Sequence, residues 1–105
     1  MKKGTVIKVV ARFYDILDFN LLEDNFPTEK ARKVVEDYRT ALQETLEILK
    51  GKVAKKPDLS VLKRYSELFA LEAAFAKNDA NFVDYNQYTV YASAFKNAIK
   101  LVNNI

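Results

Sequence analysis

Apolar residues recur along this chain at intervals of three and four, and polar interruptions divide them into four runs. The spacing predicts helices over about 5–19, 28–50, 60–77 and 81–103. In the first, Val6, Val9, Val10, Phe13, Tyr14, Ile16 and Leu17 occupy one side of the circumference, and Lys8, Arg12, Asp15 and Asp18 the other. Thr5 is its candidate N-cap. Valine and isoleucine at positions 6, 7, 9 and 10 also suit a short strand. The alternation a strand needs breaks at Val9-Val10, so helix is the preferred reading.

The second run is the most regular. Ala31, Val35, Tyr38, Leu42, Thr45 and Leu49 alternate spacings of four and three. Either Asn25 or Thr28 supplies the capping oxygen, and Gly51 stands where a left-handed stop belongs. Gly51 to Leu59 reads as a basic linker that Pro57 keeps out of both neighbouring helices. The third helix, capped by Asp58 or Ser60, offers Val61, Leu62, Tyr65, Leu68, Phe69, Ala73, Phe75 and Ala76. The fourth has an apolar arc of about 220°, where a surface helix needs little more than about 100°. Four helices with short connections in a chain of this length predict an all-α fold. We expect a compact antiparallel up-and-down four-helix bundle in a single domain, 1–105; a three-helix core with a loosely docked first helix is the nearest alternative.

Composition narrows the chemistry. The 105 residues contain no cysteine, histidine or tryptophan and only two glycines. Disulfides, Cys/His zinc sites, imidazole- or thiol-based catalysis and a glycine-rich phosphate loop are therefore excluded. No apolar run is long enough to cross a bilayer. We expect a cytoplasmic protein that is not an enzyme, with no cofactor, no metal, no membrane association and no evident small-molecule substrate. Glu72 falls among apolar residues of the third helix, but a lone carboxylate without a fixed partner does not make an active site.

Two features bear on function. The wide face of the fourth helix carries Tyr85, Tyr88, Tyr91 and Phe95 along one flank. It is either the face of the most buried helix or an aromatic docking surface. The first expectation is thus a small helical interaction protein (adaptor, regulator or inhibitor) docking on a protein partner or on a second copy through these residues. Asp84 and Gln87 interrupt that arc.

The second feature is charge. The chain carries 17 cations and 14 anions. The surplus gathers at Lys50, Lys52, Lys55 and Lys56, with Lys63 and Arg64 soon after. Several lysines together give salt-sensitive contact with phosphates, so the alternative expectation is a nucleic-acid-associated accessory protein using Lys52, Lys55, Lys56, Lys63 and Arg64. No helix-turn-helix or RNP-type motif surrounds them.

Overall fold

The computed structural model describes residues 1–104. Four helices follow one another: α1 Lys3–Glu23, α2 Glu29–Leu49, α3 Leu59–Asn78 and α4 Phe82–Asn103. They form an antiparallel bundle whose boundaries follow from local chemistry. Thr28 caps α2 by accepting from the Ala31 N–H at 3.1 Å. Asp58 caps α3 through the Ser60 N–H, and Asn81 caps α4 through the Asp84 N–H. The Asn81 side-chain amide returns a hydrogen bond to the Asp84 carboxylate at 2.8 Å, so the acid that interrupts the apolar arc belongs to the cap. Gly51, at φ +80°, closes α2 while the Lys52 N–H reaches back to the Glu47 carbonyl.

The N-terminal helix is longer than its pattern predicts. It begins at Lys3, with Lys2 as a cap residue that makes no side-chain hydrogen bond, so Thr5 is inside the helix and not its cap. It also runs through Asn20 to Glu23, over the first half of the expected connection. Burial of Leu21 draws this extra turn inward, and Asp24, at φ 52°, ends it by donating to the Asn20 carbonyl. The valines at 9 and 10 lie in helix, not strand.

The helices pack as a flattened rhombus. Chain neighbours pair, with α3–α4 the most closely joined, and α1 and α4 close the ring. Small residues allow the α3–α4 approach: Ser66, Ala70, Ala73 and Ala74 face Ala92 and Ser93 across a shallow seam. On the short diagonal, α2 and α4 come near enough for backbone contact, and Ala41, Thr45, Ala94 and Ala98 are all buried. On the long diagonal, among the described residues, α1 and α3 have no such backbone approach. Aromatic side chains span that gap, with the Phe13 ring 5.8 Å from Tyr65 and 4.8 Å from Phe69.

The bundle is closed at one end and open at the other. Buried apolar residues crowd where α1 and α3 begin and α2 and α4 end: Val6, Val9, Val10, Leu42, Leu49, Leu62, Phe95 and Val102. Beyond the helix midpoints the buried apolar residues are Leu21, Phe69, Ala73 and Ala76. The Cα extents are 39 × 38 × 19 Å. A helix of this length spans about 30 Å, and two packed side by side are far narrower than 38 Å, so the hairpins splay. The 14.3 Å radius of gyration agrees, since a chain of this length packed to ordinary density has about 13 Å.

Candidate functional surfaces

The aromatic flank of α4 divides between core and surface. Phe95 is fully buried, stacked on Tyr65 with ring centroids 4.7 Å apart, and so is a core residue and not a docking anchor. Tyr91 is half-buried, edge-on to Phe13 at 5.0 Å and to Phe69 at 5.2 Å. Its hydroxyl accepts from the Gln87 amide at 2.8 Å, which accounts for a glutamine inside the apolar arc. Tyr88 is half-buried and stacked on Phe69 at 6.0 Å. Tyr85 lies outside this cluster, with the Lys77 ammonium 5.9 Å from its ring centre. The aromatic signal in the sequence is thus mainly that of the long diagonal being filled by rings.

Apolar surface is exposed elsewhere, chiefly at the open end. On α3, Leu68, Leu71 and Phe75 follow one another at spacings of three and four, and each is about half exposed. They continue the line of Tyr65 along one side of the helix. On α2, Val34 lies one turn from Tyr38 and is also exposed. Tyr38 and Leu68, one from each helix, meet at a recess of about 320 Å³ that Arg64 and Tyr65 also wall. This recess and the exposed stretches beside it, on the first half of α2 and the second half of α3, form the cleft of the open half. Phe19 and Leu22 of α1 and Phe82 and Val83 of α4 are exposed at the same end. In the sequence Leu68 and Phe75 read as ordinary members of an apolar arc, whereas Leu71 lies outside that arc and Leu22 in the expected connection; the missing signal was how far along each helix a neighbour extends.

The recess has a polar consequence. Tyr65 is mostly enclosed, and burial pushes its phenol up to about 12, with neighbouring Tyr38 adding to the shift. Glu72 is half-buried on α3 and retains access to water. Among the described residues no group of three or more acidic side chains comes together as a metal-binding cluster, and no helix is long and apolar enough to cross a membrane.

Charge separates along the bundle. Dividing each helix at its midpoint places twelve of the 17 cations in the closed half. They come from four stretches of chain: Lys2, Lys3, Lys8 and Arg12; Lys50, Lys52, Lys55 and Lys56; Lys63 and Arg64; Lys96 and Lys100. Only Glu44, Glu47, Asp58 and Glu67 accompany them, four of the 14 anions. The open half has the reverse balance. All four ion pairs lie there: Arg32 with Asp24 and with Glu36, Lys33 with Asp37, and Arg39 with Asp18. None of the closed-half cations has an ion-pair partner among the described residues. Lys52 and Lys56 line an open depression of about 550 Å³ together with Lys3 and the exposed Val53, and the buried Ile48 and Val102 lie at its base. Lys55 and Lys56 also face Asp37, Glu44 and Asp58 across a second hollow. Lys63 is exposed nearby on α3, whereas Arg64 stands at the recess between α2 and α3.

No family model matches the chain, and comparison with curated proteins and with solved structures returns no match.

Proposed function

We propose that this protein is a non-catalytic interaction module that docks on a second copy of itself through the open cleft. The observation that carries the reading is the exposed Leu68–Leu71–Phe75 stripe, with Phe75 55% exposed and Leu68 in the wall of a recess that is itself apolar. Exposed apolar stripes of this kind accept an amphipathic helix, read at alternate spacings of three and four. A second α3 supplies such a helix. Laid antiparallel about a two-fold axis near Leu71, it places Leu68 against Phe75 of the second copy and brings Arg64 opposite Asp79 of the second copy. A two-fold contact uses one patch twice, so a patch carrying both signs of charge suits it better than one carrying a single sign. Tyr88 and Tyr91 brace the ring cluster behind the stripe instead of meeting the partner. The lack of histidine and cysteine supports a role without catalysis, and the lack of cysteine is consistent with a cytoplasmic setting.

Light scattering over a dilution series tests this reading. The expected mass is twice 12.1 kDa at high concentration, falling toward 12.1 kDa on dilution. The double variant Leu71→Glu/Phe75→Glu remains monomeric with the helical signal of the parent, because both side chains are about half exposed already, and it lacks the rise of melting temperature with concentration that docking gives the parent. A monomer at every concentration contradicts the proposal, as does a dimer that survives this substitution. Arg64→Asp and Asp79→Arg each weaken the dimer, and combining them restores it.

A further inference from the structure

From the unpaired lysines of the closed half we infer a second working surface: a polyphosphate-binding end that takes the backbone of nucleic acid without reading its sequence. This inference is independent of self-docking, since the end lies away from the cleft and is complete in one chain. Three separate stretches build it. The start of α1 brings Lys3, the loop after α2 brings Lys52 and Lys56, and these meet around one depression beside Val102 of α4. Lys8, Lys96 and Lys100 are exposed on the flanks of α1 and α4 within a few turns of that rim. A cation surplus without internal partners attracts a polyanion, and the release of its counterions drives binding.

The residue types define the ligand further. The exposed cations of the rim are lysines, which meet phosphate as point charges and lack the planar fork that arginine offers to guanine. The only aromatic rings in this half, Tyr65 and Phe95, are stacked on one another in the core, so no free platform awaits an unpaired base. Duplex, with its denser line of phosphates, is therefore favoured over single strand. A bilayer is the weaker candidate. The lysines extend from the tip onto the flanks of different helices, where a plane touching the tip does not reach, and among the described residues Met1 and Val53 are the only large apolar side chains exposed at this end.

Fluorescence anisotropy with a labelled duplex of mixed sequence, beginning at about 50 mM salt, tests the inference. The expected result is binding that is indifferent to sequence and falls about ten-fold or more as salt rises to about 200 mM. Lys52→Glu/Lys56→Glu weakens it at least ten-fold. Lys30→Glu/Lys77→Glu makes the same change in net charge at the open half and leaves binding within about two-fold of the parent. Circular dichroism checks that both variants fold, and Lys3→Gln/Lys100→Gln, a milder change at the rim and its α4 flank, also weakens binding. No binding at 50 mM salt overturns the inference, and so does equal loss in the two glutamate variants. Binding to phosphatidylserine vesicles or to polyglutamate but not to duplex also overturns it.

Discussion

Tyr65 does the work of two residues. Its ring fills the long diagonal between α1 and α3, stacking on Phe95 and approaching Phe13 and Phe69, and the same side chain helps to wall the recess. The enclosure that favours the ring disfavours the phenolate, and so ties stability to alkaline pH. An ordinary tyrosine loses its proton near pH 10. In the folded chain Tyr65 holds it to about 12. Between those values the unfolded chain has released this proton and the folded chain has kept it, so the contribution is intact below pH 10 and lost as pH rises toward 12. Replacing Tyr65 with Phe keeps the ring and removes the titration. Denaturant unfolding of parent and Tyr65→Phe across this range is expected to show the parent losing more stability, with the two curves converging toward neutral pH. Parallel curves contradict the burial described for this phenol.

At the scale of elements, four helices were legible in the sequence because period, caps and breakers agreed. Thr28, Asp58, Asn81 and Gly51 mark boundaries where capping chemistry places them. The first helix was read too short. Asn20 and the acidic residues after it look like a connection, and only the packing of Leu21 against the bundle keeps them helical. The α4 arc was legible as apolar but not as unevenly covered. A helical wheel gives direction around an axis, whereas the coverage of Phe95 and the exposure of Val83 depend on distance along it. One joint carries strain. Ala80, at φ 56°, turns the chain from α3 into α4, a conformation in which an alanine Cβ crowds the following carbonyl. Ala80→Gly relieves that crowding and is expected to raise stability by about 1 kcal/mol, read from the denaturation midpoint. A loss of stability on this substitution contradicts the left-handed turn.

At the scale of the molecule, polarity divides the bundle twice. Buried apolar side chains gather at the closed end and exposed ones at the open end; unpaired lysines gather at the closed end and ion pairs at the open end. Neither division was visible along the chain. The sequence shows a cation surplus in its second half, yet the spatial cluster also draws Lys2, Lys3 and Lys8 from the opposite terminus, because α1 begins where α2 and α4 end. Arg64, grouped with the basic linker by sequence, stands instead at the mouth of the apolar recess. The division also gives the molecule two surfaces with different physics. One depends on burying apolar area and responds weakly to salt; the other depends on counterion release and responds strongly.

Residue-resolved amide hydrogen exchange at high and low protein concentration tests the central claim, a bundle closed at one end with an apolar cleft at the other that a second copy covers. Amides around Val10, Leu42, Leu62 and Phe95 are expected to exchange slowly at both concentrations. Those of Val34 and of Leu71 through Phe75 are expected to exchange faster in dilute protein and to gain protection as concentration rises. Uniform protection of all four helices, unchanged by dilution, contradicts both the open end and its role in docking.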